Sequence, residues 1–187
     1  MMASVLVPLA DGFEEIEAVT VVDVLRRGGV EVVTASVHDR LEVQGAHGMT
    51  VRADRHFDEA QREPYDAIVL PGGGACAETF KQLQPLHERL QRQHDEHRLL
   101  CAICAAPTVL EAAGVLDEGT EVTCYPTCRD DLERPWSDVP VIVDGTIITG
   151  QAPGTAMLFA LVILQTLSSE RVARKVAQGM VTSVLDE

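Results

Sequence analysis

Apolar runs of strand length alternate along this chain with segments of helix length. The run ASVLVPLA, residues 3–10, is continuously apolar, which is typical of a strand buried on both faces. Residues 13–29 begin with acidic side chains and end with two arginines and two glycines, and this punctuation predicts a helix. The same patterns predict a helix at 78–96, strands at 30–37 and 98–104, and a strand running into a glycine loop at 65–74.

This alternation predicts an α/β fold: a doubly wound, mostly parallel sheet with helices on both faces. Residues 42–54 and 139–150 read as two short hairpins, the second turning at Asp144 and Gly145, and both are expected to be peripheral additions. The chain ends in two predicted helices, of which the first, 154–167, is apolar around most of its circumference and therefore buried or paired. No linker or repeat is visible, so we expect one domain over residues 1–187.

Charge and cysteine content narrow the classes of partner. The chain has 15 Lys and Arg against 29 Asp and Glu, a formal charge of −14, which repels nucleic acid and anionic membranes. Its N-terminal segment has no basic region, and its first apolar run contains Pro8 and stops at Asp11, so neither a signal peptide nor a spanning helix is expected. Five cysteines without disulfide-scaffold spacing fit a reducing compartment, and we expect a cytoplasmic protein that binds small molecules or proteins.

Cys104 is the main chemical candidate, because it follows a predicted strand at the sheet edge where such folds bind ligands. The positions two before and two after it, Ala102 and Ala106, are small, as a sharp strand-to-helix turn around a nucleophile requires. Pro107 suits the first turn of a helix, so backbone amides are expected to face the thiol. The alternative is a buried, chemically inert cysteine.

A reactive thiol at this position needs a partner. Lowering its pKa from about 8.5 to about 6 requires roughly 3.4 kcal/mol, whereas a helix terminus contributes at most about 2 kcal/mol. A protonated carboxylic acid from the first helix would supply the difference, and both Glu14 and Glu17 are candidates. Glu17 shares a helix face with Val21, Val24 and Leu25, so burial is expected to raise its pKa. Alternatively, these glutamates only complement the helix N-terminus in solvent.

The remaining cysteines and the histidines carry weaker signals. Cys101 and Cys104 match a C-x-x-C motif, but alternation along the strand points their side chains differently, which argues against a dithiol oxidoreductase. Cys76, in the predicted loop after LPGGG, is either a resolving thiol or an incidental residue. Cys124 and Cys128 flank YPT. Neither a regular metal-ligand spacing nor a phosphate-binding fingerprint is present, so no metal and no cofactor are expected.

Four segments carry a family resemblance: ADGFEEIEAVTVVDVLRRGG, YDAIVLPGGG, AICAAPTVL and QAPGTAMLFAL. In this order and spacing they resemble the ThiJ/PfpI superfamily, in particular its YajL-like bacterial subgroup, which is related to a human protein associated with parkinsonism. The resemblance covers essentially the whole chain. It implies a flavodoxin-like sandwich, a homodimer, an oxidation-sensitive Cys104 and a glutamate, Glu17, bonded to it. It also implies an oxyanion-binding pocket made by the backbone amides of Gly72, Gly73 and Ala105, although the glycines could serve only the turn.

The sequence also departs from that superfamily. Its peptidase branch carries histidine directly after the nucleophile, where this chain has Ala105, which argues against a cysteine peptidase. In the human relative a histidine approaches the cysteine from the segment that here reads TCYPT, and Tyr125 takes its place. His47 and Gln151 stand where that relative has arginines. Together with Pro153 in the last matching segment, Tyr125, His47 and Gln151 are the expected pocket residues.

Two classes of function use the same two residues. In the first class, the resemblance implies an enzyme of glyoxalase III-like hydro-lyase or deglycase type. Such an enzyme converts methylglyoxal or glyoxal to a hydroxy acid without glutathione, and removes early glycation adducts from proteins. Cys104 would add to the aldehyde and Glu17 would move the proton. As a non-catalytic oxidation sensor or redox-regulated chaperone, Cys104 would advance to a sulfinic acid that Glu17 hydrogen-bonds. Turnover separates the two classes, and no sequence feature reports it.

Overall fold

The computed structural model describes residues 2–185 and has a central sheet flanked by helices. The strands are β1 (Ser4–Leu9), β2 (Glu31–Ser36), β3 (Glu42–Gln44), β4 (Thr50–Arg52), β5 (Arg55–His56), β6 (Ala67–Leu70), β7 (Leu99–Ile103), β8 (Val141–Asp144) and β9 (Ile147–Gly150). The helices are α1 (Glu15–Arg27), α2 (Phe57–Ala60), α3 (Gly74–Gln82), α4 (Gln84–Asp95), α5 (Pro107–Ala112), α6 (Ala156–Leu167) and α7 (Glu170–Gly179). Two 3-10 turns cover Pro126–Asp131 and Pro153–Thr155.

Seven strands form the main sheet in the order β5-β2-β1-β6-β7-β9-β8, and only β8 runs antiparallel to its neighbour. The central strands β1, β6 and β7 are almost entirely buried, in agreement with their continuously apolar sequences. Helix α1 packs with α6, and α6 with α7, whereas α3 packs with α4 and α5. These two groups cover the two faces of the sheet, which confirms the predicted flavodoxin-like α/β fold.

The apolar C-terminal helix α6 is largely buried, as its sequence predicts. It packs against α1, α7 and the strands β7 and β9, so its apolar circumference is covered from several sides. Its twelve residues are too few for a bilayer. No helix in the described range 2–185 is long and apolar enough to cross a membrane.

Two sequence predictions need correction. The helix expected at 78–96 is two helices, α3 and α4, that meet at Leu83, because Pro85 lies in the first turn of α4 and lacks the amide needed to continue α3. The hairpin at 139–150 is not peripheral, since β9 is buried and pairs with β7 from Leu100↔Ile147 to Ile103↔Gly150. The other predicted hairpin, β3–β4, does form a separate two-stranded sheet.

The carboxyl ends of three adjacent strands bring the candidate residues together. β1 leads into the turn before α1, β6 into the glycine loop before α3, and β7 into Cys104. Because β1, β6 and β7 are parallel neighbours, these three exits lie at one edge of the sheet. The position of Glu17, Gly73 and Cys104 therefore follows from the strand order.

Glycine is required at position 73, where the loop after β6 contacts the turn before α1. Its φ is +94°, and a Cβ at this position would lie 2.0 Å from the carbonyl oxygen of Gly12. The adjacent backbone is held by the Glu14 amide, which donates to the Gly72 carbonyl at 3.1 Å. Any side chain at position 73 would push the turn before α1 away from the loop after β6.

We therefore predict that Gly73→Ala destabilises the protein by more than about 2 kcal/mol, from the clash and the left-handed backbone together. Gly74→Ala is the matched control, because a Cβ at Gly74 meets no atom within 4 Å and its backbone has no positive φ. Urea unfolding of both variants measures the difference. Equal stability of the two variants would show that the contact between Gly73 and Gly12 is not rigid.

Candidate active site

Cys104 adopts the sharp turn predicted for it. Its φ is +64°, a left-handed conformation that is costly for any residue with a Cβ. The Cys104 amide donates to the Gly150 carbonyl at 2.9 Å, which holds the turn against the end of β9. Ala102 and Ala106 are fully buried, and α5 begins at Pro107. The thiol is therefore presented by a strained turn between β7 and α5 and is only partly buried.

Glu17 lies directly beside this turn. It is fully buried, and its Oε2 accepts a hydrogen bond of 2.7 Å from the Gly72 amide. A Cβ at Gly72 would lie 2.6 Å from that Oε2 and 2.7 Å from the Cβ of Cys104. Only glycine therefore fits between Glu17 and Cys104 at this position. The other carboxyl oxygen, Oε1, is buried and has no hydrogen-bond partner among residues 2–185.

The surroundings of Glu17 favour its protonated form. Burial raises the pKa of its carboxyl from 4.5 to about 7, although the hydrogen bonds from Gly72 and Cys104 oppose the increase. The negative charge of Glu14 raises it further. Periodicity alone left Glu14 and Glu17 as alternatives and the family resemblance implied Glu17; the structure gives the two residues different positions. Glu17 contacts the thiol, whereas Glu14 acts on Glu17 through its charge.

The thiol and the carboxyl form a coupled pair. Burial raises the pKa of Cys104, and the negative charge of an ionised Glu17 raises it further, while the backbone amides of Gly73 and Ala105 oppose the increase. Two adjacent negative charges are unfavourable in a buried site, so the pair holds at least one proton near neutral pH. A Cys104 thiolate is therefore compatible with this site when the proton lies on Glu17.

The expected oxyanion pocket is only partly available. Gly72 was expected to contribute its amide, but that N–H already donates to Glu17. The amides of Gly73 and Ala105 do face the sulfur of Cys104. The prediction is therefore wrong for Gly72, because the buried carboxyl of Glu17 takes its only backbone donor. Gly73 and Ala105 remain as the two donors for an anion bound at the sulfur.

His47 is held next to α1 by Glu15, a contact that the sequence did not indicate. Its Nδ1 lies 3.0 Å from the Oε2 of Glu15 and 3.5 Å from that of Glu14, and its amide donates to Glu15 at 2.7 Å. These contacts raise the pKa of His47, the hydrogen bond to Glu15 most of all. Within the described chain this is the only group of three such side chains with metal-ligand proximity, and its mutual ion pairs account for it. The pairing of positions 15 and 47 depends on the β3–β4 hairpin, and no local pattern reveals it.

Of the other expected pocket residues, Tyr125 is bonded to the Cys104 turn through its backbone. Its amide donates to the Cys104 carbonyl at 2.9 Å, and the residue is 42% exposed. Gln151 follows β9, where its Nε2 donates to Asp138 at 2.6 Å. Pro153 starts a 3-10 turn before α6.

Cys101 and Cys76 are not placed for chemistry at Cys104. Cys101 is fully buried in β7 between its partners on β6 and β9, and burial raises its pKa. Cys76 lies in α3 rather than in a loop, and burial raises its pKa to about 12. Both observations argue against a C-x-x-C dithiol and against Cys76 as an accessible resolving thiol.

The raised pKa of Glu17 predicts a pH-dependent stability. Because its folded pKa exceeds the unfolded one, stability is full below about pH 4.5 and falls as pH rises through about 7, by about 3 kcal/mol in all. Glu17→Gln cannot ionise and removes this loss. Urea unfolding at several pH values should show the wild type losing about 3 kcal/mol more than the variant between about pH 4 and about pH 8.

Glu15→Gln is the matched control with the opposite sign. Burial alone would raise the pKa of Glu15, but hydrogen bonds from its own amide, from His47 and from Met49 outweigh burial and lower it. The stability contributed by Glu15 is therefore present at neutral pH and lost on acidification. Parallel pH profiles of wild type and Glu17→Gln would contradict the buried, raised carboxyl.

The chain is similar to known proteins with this architecture. The model of the DJ-1/PfpI family matches residues 3–166. Protein dj-1beta of Drosophila melanogaster is 34% identical over 98% of this chain and 99% of its own, and its crystal structure superposes with a TM-score of 0.95 over 98% and 100% of the two chains. The glutathione-independent glyoxalase DJR-1.2 of Caenorhabditis elegans is 36% identical over 88% of both chains.

A plant relative differs in length. Protein DJ-1 homolog B of Arabidopsis thaliana is 37% identical over 95% of this chain, but the match spans only 41% of the plant protein. The similarity to the Drosophila protein extends over nearly the whole of both chains, and the family match includes β1, the glycine loop and the turn at Cys104. The chain belongs to the DJ-1/PfpI family.

Proposed function

We propose that the protein is a cysteine-dependent enzyme of carbonyl stress that converts methylglyoxal or glyoxal to the hydroxy acid without glutathione. The observation that carries this proposal is the fully buried Glu17, whose pKa of about 7 lets it both take and give a proton beside Cys104. The family relative from Caenorhabditis elegans that is named a glutathione-independent glyoxalase supports it. The reaction consumes only aldehyde and water, so no cofactor and no metal are required.

In the first step Cys104 adds to the aldehyde carbon. The new sulfur–carbon bond forms as the carbonyl π electrons move to oxygen, and the thiol proton ends on that oxygen as a hemithioacetal. The amides of Gly73 and Ala105, which face the sulfur, stabilise the negative oxygen while it exists. Because these two donors are in place before the reaction, they are expected to lower the barrier to sulfur addition.

In the second step Glu17 moves a proton between neighbouring carbons. Its carboxylate removes the proton from the former aldehyde carbon and returns it to the adjacent carbon, while the hydroxyl proton on the former aldehyde carbon passes to the ketone oxygen. The ketone becomes an alcohol, and a thioester is left on Cys104. Water then breaks the thioester, releasing the hydroxy acid and the free thiol. Tyr125, His47, Gln151 and Pro153 are proposed to shape the pocket around this chemistry.

The same chemistry extends to early glycation adducts on proteins. A hemithioacetal or aminocarbinol is in equilibrium with its aldehyde, and Cys104 is only partly buried at the sheet edge, where a protein-bound carbonyl can approach it. Deglycation then shares every step after sulfur addition with the free-aldehyde reaction. An assay with a glycation adduct that has been purified away from free methylglyoxal separates deglycation from the free-aldehyde reaction.

An oxidation sensor or redox-regulated chaperone is the second candidate, favoured by one observation. A protonated Glu17 and the amides of Gly73 and Ala105 together surround the sulfur with hydrogen-bond donors, which also fits the oxygens of a sulfinic acid. In this case the site stabilises a product of peroxide oxidation and has no turnover with aldehydes.

We predict that methylglyoxal disappears catalytically with matching formation of lactate. Cys104→Ser should reduce the rate to background, and Glu17→Gln should reduce it by roughly 10²- to 10⁴-fold, the usual contribution of a proton-transferring group. Cys101→Ser is the thiol control, because that side chain is sealed in β7 and should leave the rate within about twofold if the variant is as stable as wild type.

The stoichiometry distinguishes the two candidates. Consumption of a single methylglyoxal per chain without lactate, or equal rates in Cys104→Ser and wild type, would exclude the enzyme. Formation of a sulfinic acid at Cys104 with limited peroxide, lost in Glu17→Gln, would then support the sensor.

We also propose that the protein is a cytoplasmic homodimer, assembled through an exposed apolar surface of α1 and the neighbouring β3–β4 hairpin. Ile16, Val19 and Met49 are 56%, 47% and 57% exposed. Such a group of exposed large apolar side chains is unusual on the surface of a monomer. A groove of about 230 Å³, lined in part by Val22 and Val51, continues this surface. A second copy of the same surface would cover it around a twofold axis.

Charge on this surface tests the proposed dimer. Val19→Glu should dissociate the dimer, seen as a halved mass by light scattering, because two carboxylates would be buried near the twofold axis. Val143→Glu is the control, since Val143 on the edge strand β8 is 52% exposed but lies away from α1. A monomeric wild type, or an unchanged mass for Val19→Glu, would contradict this interface.

A further inference from the structure

Cys124 and Cys128 lie on either side of Tyr125, outside the proposed catalytic pair. The thiol of Cys124 donates to the Tyr125 carbonyl at 3.3 Å, and the Cys128 amide donates to the same oxygen at 2.8 Å. The two cysteines therefore converge on one carbonyl group. The Tyr125 amide also donates to the Cys104 carbonyl at 2.9 Å. The turn formed by residues 124–128 is therefore hydrogen-bonded to the backbone of the proposed nucleophile.

The two thiols differ in access. Cys124 is fully buried, and burial raises its pKa to about 11, with the nearby Cys128 as the second cause. Cys128 is partly exposed at the edge of the core, in the first turn of the 3-10 segment. Burial raises its pKa and Asp131 and Glu78 add to the increase, while Thr127 and the ammonium of Lys81 oppose it. Cys128 is therefore the thiol that a reagent reaches first, and Cys124 is the neighbouring thiol in the same turn.

We propose that Cys124 and Cys128 form a reversible disulfide that controls the access of reagents to Cys104 through the turn at Tyr125. The oxidant is hydrogen peroxide. The Cys128 sulfur takes one peroxide oxygen and becomes a sulfenic acid while the other oxygen leaves as water. The Cys124 sulfur then attacks the sulfenic sulfur and a second water leaves, so two thiols and one peroxide give one disulfide and two waters.

The disulfide changes the turn in two ways. It removes the thiol hydrogen that Cys124 donates to the Tyr125 carbonyl, and it ties the partly exposed Cys128 side chain to the buried Cys124 sulfur. Because the Tyr125 amide is bonded to the Cys104 carbonyl, we expect the altered turn to change the surroundings of the proposed nucleophile. Only the effect on Cys104 rests on the proposed function; formation of the disulfide does not.

The disulfide is tested on the full chain carrying Cys104→Ser, so that peroxide is not consumed at position 104. The protein is treated with hydrogen peroxide at about pH 8, blocked with iodoacetamide and cut with a glutamate-specific protease. Cleavage after Glu121 and Glu133 isolates residues 122–133, which contain Cys124 and Cys128 and no other cysteine. The expected product is this peptide with no alkyl group and a mass lower by two hydrogens, restored by dithiothreitol.

Control of Cys104 is tested on the wild-type chain oxidised with diamide, whose N=N bond accepts the two electrons and two protons and forms no sulfinic acid. Alkylation of Cys104 by iodoacetamide is followed in the separate peptide 97–111. We expect it to slow by at least about fivefold, the lower end of ordinary coupling between two sites. Cys128→Ser should abolish the slowing, and Cys101→Ser should retain it.

Each outcome decides one part of the proposal. Two alkylated cysteines in peptide 122–133 after oxidation, or a disulfide from either cysteine to another position, would overturn the pairing. A correct disulfide with unchanged alkylation of Cys104 would overturn its control of the site. Because alkylation does not require turnover, failure of the glyoxalase assay and failure of this switch are separate results.

Discussion

A buried carboxyl group determines the arrangement of this site. Glu17 is fully excluded from solvent, and its backbone donor is the Gly72 amide at 2.7 Å. A buried carboxylate with few and only neutral donors is unfavourable, so the environment raises the pKa of Glu17 to about 7. The properties of Cys104 follow from this, because an ionised Glu17 keeps the thiol protonated and a protonated Glu17 permits a thiolate.

The fold provides this interaction at a cost in backbone strain. Cys104 has a φ of +64° and Gly73 one of +94°, and both lie at the carboxyl ends of neighbouring parallel strands. Gly72 has no side chain, and any Cβ there would contact both Glu17 and Cys104 at less than 3 Å. The close approach of three strand exits is therefore possible only with glycine at these positions, and it holds the carboxyl against the thiol without a flexible linker.

Two neighbouring glutamates, Glu14 and Glu15, supply charge around Glu17 and Cys104. Glu14 increases the tendency of Glu17 to stay protonated, while Glu15 is held ionised by hydrogen bonds from the segment of His47 and Met49. Glu15 and Glu17, on one helix turn, thus have opposite pKa shifts, because Glu17 faces the sheet edge and Glu15 faces the β3–β4 hairpin. This separation resembles the division of roles between paired carboxylates in enzymes whose environments differ.

Local patterns determined much of this protein. Continuous apolar runs marked β1, β6 and β7, and Ala102, Ala106 and Pro107 predicted the turn at Cys104, since these signals depend only on neighbouring residues. Tertiary structure alone decided that β9 enters the main sheet, that the Gly72 amide serves Glu17 instead of an oxyanion, and that Glu15 holds His47. Those outcomes depend on contacts between residues about 30 to 55 positions apart, which no local pattern encodes.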